Sequence, residues 1–273
     1  MSWTPPGPAW LFCPADRPER YAKAAAAADV VILDLEDGVG PDQKAAARQA
    51  LVDTPLDPAR TIVRLSPADT DDHARDREAL ARTGYRTVML AKTESAAQVE
   101  SLAGLAVVAL CETPLGVVQA PAIAAAEPTL ALMWGAEDLL AGLGGRSSRF
   151  PGPPGGPRGG YRDVARTARS SVLLAAGAAR RLAVDAVHLD IRDLDGLRTE
   201  AEDAAACGFV ATACIHPTQV DVVRAAYRPT EEQLDWARRV LAEAEGERGV
   251  FAFEGGMVDG PVLRHAEALL ARA

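Results

Sequence analysis

Two carboxylates each follow a short apolar run in this sequence. Glu112 stands in "VVALCETPLGV", and Asp138 stands in "LALMWGAEDL". An unpaired carboxylate is costly inside a buried strand, so we expect each one to stand where a strand emerges from the core. One strand–helix unit separates the two residues, so the sequence predicts that they lie on adjacent strands of a sheet and at the same height along those strands. Two carboxylates, with the other positions left to water and ligand oxygens, suit Mg²⁺, and a cation between them would relieve their repulsion.

A guanidinium group ends another apolar run. Arg64 lies in "TIVRLS", keeps its charge at every physiological pH, and has a fork of donors that matches carboxylate or keto-acid oxygens. The alternative is a structural salt bridge to Glu36 or Asp37 of "DLEDGV". Alternate strand residues point in opposite directions, so only part of the acidic cluster Asp34, Glu36 and Asp37 can face the same site. We interpret this cluster as the group that positions Arg64.

Three further apolar runs break into a polar side chain, at Lys92, Asp190 and His216. We expect them beside Glu112, although one or two of the set would simply cap helices or pair with neighbours. Cys214 and His216 together lack the three or four ligands that zinc takes, so we set zinc aside.

The elements that must position these side chains alternate along the chain. Apolar runs predict eight strands at 9–14, 29–34, 61–65, 86–91, 106–111, 130–135, 184–189 and 209–215. Segments rich in Ala, Leu, Glu and Arg lie between them and predict helices. Such alternation gives right-handed crossovers and a parallel sheet with both faces covered. In about 220 residues it predicts a (β/α)₈ TIM barrel, in which reactive side chains stand at the C-terminal ends of the strands.

A glycine- and proline-rich segment, "GLGGRSSRFPGPPGGPRGGYRD", separates the sixth strand from its helix and cannot be a helix or central strand. We expect a flexible surface loop. The alternative is a mobile flap over the barrel mouth that brings Arg146, Arg149 or Arg158 to an anionic ligand.

The chain continues after the eighth strand. "TEEQLDWARRVLAEAEGE" predicts an amphipathic helix with Thr230 as its N-cap, and a glycine-interrupted turn then leads into a final helix. We predict a barrel domain over 1–228 and a C-terminal helical lid over 229–273. The lid would cover its own barrel or reach a neighbouring subunit.

Composition limits the classes of partner. The apolar share is 48%, the charged share 25% and the formal net charge −9, with a pI near 5.0. An acidic chain argues against nucleic acid or an anionic membrane as the main partner, and no apolar stretch is long enough for a membrane span. The N-terminus lacks the features of a secretory signal, and the four cysteines show no CxxC pairing. We expect a cytoplasmic protein.

Near the N-terminus, "LFCPADRPERYAKAAAAA" places Phe12 at the end of the first strand and Arg17 and Lys23 around the start of its helix. Basic side chains there could hold phosphates. From these residues alone we favour an ordinary solvated helix turn.

Several motifs, spread in order over nearly the whole chain, together resemble one family. They are "LFCPADRPERYAKA", "VVILDLEDGV", "TIVRL", "MLAKTESAAQV", "ALCETPLGV", "LMWGAEDL", "CIHPTQV" and "FEGGMVDGPVLRHA". The chain resembles the citrate lyase β-subunit-like proteins of the citrate lyase/malyl-CoA lyase (HpcH/HpaI aldolase) family. The resemblance implies a Mg²⁺-dependent barrel enzyme that acts on acyl-CoA esters and assembles as a homotrimer. The long loop after Asp138 departs from the family pattern.

The resemblance also implies a role for particular residues. Glu112 and Asp138 would bind the metal, and Arg64 would contact the keto-acid part of the substrate, with Glu112 close to it. Phe12, Arg17 and Lys23 match acyl-CoA-contacting positions, which reverses the preference for a solvated turn. Asp259, in "GGMVDGP", matches an acidic residue that the C-terminal segment lends to a neighbouring subunit's site.

The expected reaction is a reversible carbon–carbon cleavage of a 3-hydroxyacyl-CoA, such as a citramalyl-CoA, malyl-CoA or HMG-CoA-like ester, to an acyl-CoA and a 2-keto acid. Arg64 would stabilise charge on the keto acid, and Asp259 would exchange a proton with the thioester enolate. Two alternatives stay open. One is a malate-synthase-like or thioesterase activity at the same site, and the other is a subunit active only within a citrate lyase complex.

Overall fold

The computed structural model describes residues 3–153, 156, 158–246 and 249–272. They form two compact units, Met1–Arg224 and Ala225–Ala273. The sequence predicts a boundary after residue 228, and that division into a catalytic domain and a lid stays a prediction. No helix within the described ranges combines the length and the apolar character that a membrane crossing requires.

The first unit contains a closed parallel barrel whose strands follow one another in chain order. The strands are β1 (Ala9–Pro14), β2 (Val30–Asp34), β3 (Thr61–Leu65), β4 (Thr87–Leu90), β5 (Ala106–Cys111), β6 (Thr129–Trp134), β7 (Leu182–Asp185) and β8 (Ala211–Cys214). The barrel closes where β1 pairs with β8, through Ala9 opposite Thr212. The predicted (β/α)₈ barrel is therefore confirmed.

Helices connect the strands of the barrel. They are α1 (Tyr21–Ala27), α2 (Lys44–Asp53), α3 (Asp71–Leu80), α4 (Ala96–Glu100), α5 (Pro114–Ala125), α6 (Ala136–Gly142), α7 (Asp163–Ala178) and α8 (Leu194–Cys207). A ninth helix, α9 (Val220–Tyr227), follows β8. Side chains fix where several helices begin. Thr70, Ser95, Thr113 and Asp193 each accept a hydrogen bond from a backbone N–H of the first turn.

Apolar side chains fill the barrel, so it has no open channel. Trp10, Ile32, Met89, Val108 and Met133 belong to one buried cluster inside the strands. Full burial of each such side chain contributes about 1.5–3 kcal/mol to folding. Because side chains of the described strands fill the interior, a ligand would bind at an end of the barrel and not inside it.

The seventh strand is shorter than predicted. The sequence predicts 184–189, whereas β7 ends at Asp185. The Asp185 carboxylate accepts hydrogen bonds from Trp134 Nε1 at 2.6 Å and from Arg169 Nε at 3.0 Å. The strand ends at this carboxylate, and Asp190 therefore lies in the segment that connects β7 to α8 and not at the end of a strand.

The glycine- and proline-rich segment is attached to the barrel by Arg149. This guanidinium group is buried, forms a two-pronged ion pair with Glu200 of α8, and stacks 3.7 Å from the centre of the Tyr161 ring. Tyr161 in turn packs edge-on against Trp134. Arg149 is thus not free to meet a ligand, and that part of the flap hypothesis is wrong. Arg146 and Arg158 are exposed.

The second unit is built from two helices and a hairpin: α10 (Glu231–Ala244), β9 (Phe251–Phe253), β10 (Gly256–Val258) and α11 (Gly260–Leu270). Thr230 forms the predicted N-cap of α10 in a capping box with Gln233. Glu254 and Gly255 both have positive φ, as a two-residue hairpin turn requires. Ala237, Val240, Phe251, Val258 and Ala266 form this unit's core.

Candidate active site

Glu112 follows β5 directly and is buried, with 4% of its surface exposed. Its Oε1 atom accepts a hydrogen bond from the backbone N–H of Lys92 at 3.1 Å. Gly135, after the neighbouring β6, leaves the space that the side chain occupies, because a Cβ atom there would lie 2.9 Å from Glu112 Oε2. Residues that follow the two strands on either side of β5 thus fix the position of this carboxylate.

Asp138 reaches the same end of the barrel from a helix and not from a strand end. It lies in the first turn of α6, which begins at Ala136 immediately after β6. Its Oδ1 atom is 3.4 Å from Lys92 Nζ, and the side chain is 38% exposed. The expectation that Asp138 ends a strand at the level of Glu112 is therefore corrected, although the two carboxylates do lie near each other.

The environment of Glu112 is one that a cation would stabilise. Burial, together with the negative charge of Asp138, raises the pKa of Glu112 to about 8, while Arg64 and Lys92 act to lower it. Within the described part of the chain, no group of three or more His, Cys, Asp or Glu side chains could hold a metal ion. Two hard oxygen donors with positions left over for water or ligand oxygens fit Mg²⁺ better than zinc.

Arg64 is held by the acidic cluster, as the sequence predicts. Its Nε and Nη2 atoms donate to the two oxygens of Asp34 at 2.7 and 2.6 Å, and Nη1 lies 3.2 Å from Glu36 Oε2. Although burial acts to lower it, these carboxylates raise the pKa of the guanidinium group above its ordinary value. The structural salt bridge is thus present, but it runs to Asp34 and Glu36 and not to Asp37.

Asp34 is itself fixed by the backbone that follows it. Its two oxygens accept hydrogen bonds from the N–H groups of Glu36 at 2.8 Å and Gly38 at 2.9 Å. A Cβ atom at Gly38 would lie 2.2 Å from Asp34 Oδ2, so this position needs glycine. Four donors around one carboxylate leave Asp34 as the anchor of Arg64, with no lone pair direction free for a ligand.

Lys92 links Glu112 and Asp138 to the acidic cluster, a role that the sequence pattern does not reveal. Its ammonium group forms ion pairs with Glu36 and Asp37, the latter at 2.9 Å, in addition to the Asp138 contact. Its backbone has a φ of 47°, a left-handed conformation that is uncommon for a residue other than glycine. In this conformation the backbone N–H of Lys92 donates to Glu112 and the side chain extends to Asp138.

The three predicted acyl-CoA contacts fall in different places. The Phe12 ring packs under Arg64, whose guanidinium carbon is 4.9 Å from the ring centre. Arg17 precedes a short 3₁₀ helix (Pro18–Arg20), and its side chain is 55% exposed. Lys23 is exposed on α1. Their contacts with CoA stay a prediction.

Two residues expected at the barrel mouth have local structural contacts instead. His216 caps the 3₁₀ helix Pro217–Gln219, because its Nδ1 atom accepts a hydrogen bond from the N–H of Thr218 at 3.3 Å. Asp190 is exposed and accepts a hydrogen bond from the N–H of Arg192 at 3.1 Å. Both follow the alternative that one or two of the set cap helices or pair with neighbours.

Asp259 belongs to the second unit, where it occupies the N-cap position of α11. Its side chain makes no capping hydrogen bond, although Asp is one of the residues that normally do so. Within the described residues of that unit the carboxylate has no hydrogen bond or ion pair. The carboxylate is thus available for another role.

A closed parallel barrel with a carboxylate pair and an anchored arginine at the C-terminal ends of its strands defines a class of TIM-barrel enzyme, and family comparisons agree. Residues 165–273 match the model described as "C-C_Bond_Lyase of the TIM-Barrel fold". Residues 9–217 match the model described as "HpcH/HpaI aldolase/citrate lyase". The chain belongs to the HpcH/HpaI aldolase/citrate lyase family, which is a family of carbon–carbon lyases.

Named relatives span nearly the whole chain. It is 66% identical to a citrate lyase subunit beta-like protein of Mycobacterium tuberculosis, over 98% of this chain and 96% of the relative. It is 32% identical to a (3S)-malyl-CoA thioesterase of Cereibacter sphaeroides, over 96% and 93%. Identity to the mitochondrial citramalyl-CoA lyase of Rattus norvegicus is 28%, over 98% and 86%.

A solved structure is also similar over the full length. The crystal structure of protein CitE from Mycobacterium tuberculosis, in complex with magnesium, acetoacetate and coenzyme A, superposes with a TM-score of 0.93 at 66% identity, over 98% of each chain. The family resemblance predicted from the motifs is therefore confirmed.

Proposed function

We propose that the protein is a Mg²⁺-dependent lyase that reversibly cleaves a 3-hydroxyacyl-CoA, such as a citramalyl-CoA, malyl-CoA or HMG-CoA-like ester, to an acyl-CoA and a 2-keto acid. The observation that carries the proposal is the buried Glu112 carboxylate, which lies beside Asp138 and Arg64 at the C-terminal ends of the strands. The magnesium, acetoacetate and coenzyme A bound by the M. tuberculosis protein support the same ligand classes here.

Glu112 and Asp138 would hold the metal. When bound, Mg²⁺ would act as a Lewis acid that polarises the hydroxyl and carboxylate oxygens of the substrate. Glu112 can serve this purpose because its carboxylate accepts a hydrogen bond from the backbone N–H of Lys92 and fits closely against Gly135 before any ligand binds.

Arg64 would bind the keto-acid part of the substrate and stabilise the charge that develops there. Asp34 holds two of its donors, so the guanidinium group does not need to reorganise when the substrate binds. The third nitrogen, Nη1, faces Glu36 at 3.2 Å, a longer contact that a substrate carboxylate could share. Phe12 supports the guanidinium plane from below, and Arg17 and Lys23 would contact the CoA.

Asp259 would pass a proton to the enolate of the departing thioester, or remove one in the condensing direction. Its carboxylate is not used to cap α11, which supports a role outside its own helix. We propose that the second unit acts as a lid over the site of a neighbouring subunit in a homotrimer.

Thioester hydrolysis is the second candidate, and the malyl-CoA thioesterase among the relatives favours it. The same residues would serve, and the difference would be whether water reaches the thioester after condensation. A purified-protein assay with a panel of free CoA thioesters separates the candidates. An acyl-CoA and a keto acid indicate the lyase, and free CoA with a hydroxy acid indicates the thioesterase. No turnover of any free thioester would favour a subunit that works only within a citrate lyase complex.

The metal assignment has a test that does not depend on turnover. Glu112→Gln keeps the shape of the side chain and removes its charge, so we expect Mg²⁺ binding by calorimetry to weaken by at least about tenfold. Glu100→Gln, on the exposed face of α4, is the matched control and should bind as the parent does. Parent-like binding by Glu112→Gln would refute the metal site.

Complementation tests the shared lid. Asp259→Ala should be inactive but bind Mg²⁺, and Glu112→Ala should be inactive with an intact lid. Mixing the two under subunit exchange should restore part of the activity, because some sites would combine an intact barrel with an intact lid. A lid that covers its own barrel would give no rescue, provided that mass measurements show exchange.

A further inference from the structure

A cavity lies at the end of the barrel opposite the candidate active site. Its volume is about 930 Å³, and the first residues of four strands border it: Thr87, Ala106, Thr129 and Leu182. Glu112, by contrast, follows the last residue of β5. At about 3.3 Å per strand residue, the six residues of β5 separate the two ends by roughly 20 Å. This cavity is therefore distinct from the site of the proposed reaction.

The cavity is basic although the chain as a whole is acidic. Arg86, Arg180 and Arg181 line it, against one acidic residue, Glu127, among the described residues of its wall. The formal net charge of the whole chain is −9. Within the described ranges, none of the three arginines forms an ion pair with a carboxylate. Three guanidinium groups against one carboxylate leave a local positive field.

Two of these arginines are fixed in place by neutral acceptors. Arg86 Nη1 donates to the carbonyl of Tyr85 at 2.7 Å. Arg181 donates to the carbonyls of Ala124 at 3.2 Å and Ala126 at 3.1 Å. Main-chain carbonyls restrict the side chains without cancelling their charge. Each guanidinium group has five N–H donors, so donors remain for a ligand.

Arg180 has no comparable structural role. It follows the C-terminal end of α7 with a φ of 56°, and the N–H of Arg181 bonds to the carbonyl of Ala176 at 2.8 Å, which closes the helix. Glycine is the residue favoured at such a left-handed helix end. The Arg180 side chain makes no hydrogen bond to the rest of the described chain. Arginine in place of glycine at this point adds a charge to the cavity that the fold does not require.

We propose that this cavity binds a small polyanion that carries phosphate or carboxylate groups. The volume is within the range of small-ligand sites, and arginine is suited to both groups because its fork of donors can bind two oxygens. Trp3 and Pro5 supply an apolar part of the wall. Binding here would occur without contact with the Mg²⁺ or the CoA of the proposed reaction.

The test is calorimetric titration of the full-length protein in metal-free buffer, with inorganic pyrophosphate in one series and citrate in the other. We expect saturable binding of at least one probe, and the two series distinguish phosphate from carboxylate recognition. Arg180→Gln should weaken that binding by about tenfold or more. Arg180→Gly should do the same, and it suits the left-handed backbone, so a folding defect would not account for the loss.

Two control variants locate the binding. Arg77→Gln removes one exposed positive charge from α3, outside the cavity, and should bind as the parent does. Arg64→Gln removes the arginine of the opposite end and should also leave binding of the probe unchanged. Absence of saturable binding of both probes would overturn the proposal. So would equal binding by both Arg180 variants and the parent, or a loss confined to Arg64→Gln.

Discussion

Gly135→Ala should damage the proposed metal site, although Gly135 itself would not contact the metal. The backbone at Gly135 is extended, with φ −133° and ψ 129°, a conformation that alanine adopts without strain. The added methyl group, however, would lie 2.9 Å from both Cβ and Oε2 of Glu112, closer than carbon and oxygen atoms approach without bonding. Glu112 or β6 must therefore move.

The magnitude follows from how tightly Glu112 is packed. Overpacking by one methyl group against a buried side chain such as Glu112 costs about 1–3 kcal/mol, so the free energy of unfolding should fall by that amount. Displacement of Glu112, the proposed metal ligand, should weaken Mg²⁺ binding by about 10–100-fold, as loss of supporting contacts around metal ligands does. Urea unfolding and calorimetric Mg²⁺ titration measure the two effects separately.

Gly177→Ala is the matched control, because it is the same chemical change at an exposed position of α7 with no atom within 4 Å of the new methyl group. In a helix this change should stabilise the protein by about 0.5–1 kcal/mol and leave Mg²⁺ binding unchanged. If Gly135→Ala retains both the stability and the Mg²⁺ affinity of the parent, the close approach of Gly135 does not fix Glu112, and the account of the site is refuted.

Three further predictions test other parts of the molecule. Arg64→Lys keeps the charge but loses the pair of donors that Asp34 holds, so kcat/KM should fall by about 100-fold while Mg²⁺ binding stays intact. Turnover equal to that of the parent would indicate that Arg64 has only a structural role. Lys92→Met removes a cation 3.4 Å from Asp138, so Mg²⁺ should bind about fivefold more tightly. The free energy of unfolding should fall by about 1–3 kcal/mol, and weaker Mg²⁺ binding in calorimetry would contradict the prediction. Although burial acts to raise it, His188 and Arg149 hold the pKa of Glu200 down at about 2. The ionised carboxylate therefore stabilises the fold fully above about pH 4.5, and this contribution declines as the pH falls towards 2. Glu200→Gln should lower the free energy of unfolding by about 2–3 kcal/mol at pH 7 and reduce the fall of that free energy at acid pH, measured by urea unfolding; an unchanged slope against pH would refute this prediction.

Much of the barrel can be predicted from local patterns. The runs that became β1, β3 and β5 have the predicted bounds, because strands covered on both faces are continuous apolar stretches that end where polar residues begin. β7 was harder to predict. Its apolar run continues past Asp185, and the strand ends there because Asp185 pairs with Arg169, sixteen residues earlier in the chain.

The candidate site divides in a similar way. Glu112, Arg64 and the cluster around Asp34 could be predicted, since each charged residue interrupts an apolar run. Asp190 and His216 interrupt such runs equally well, yet one accepts a bond from its own turn and the other caps a short helix. A charge at a strand end therefore indicates where a site could be, but it does not distinguish a ligand from a cap.

The sequence by itself determined the class of fold and the types of side chain at the barrel mouth, because both depend on spacing along the chain and on the cost of burying charge. Only the tertiary structure decided which charges meet. Lys92 joins Asp37 and Asp138, Gly135 makes room for Glu112, and Arg149 is held by Glu200. These contacts join residues far apart in the chain, and they depend on strand order, on backbone turns such as that of Lys92, and on distances of a few ångströms that no local pattern specifies.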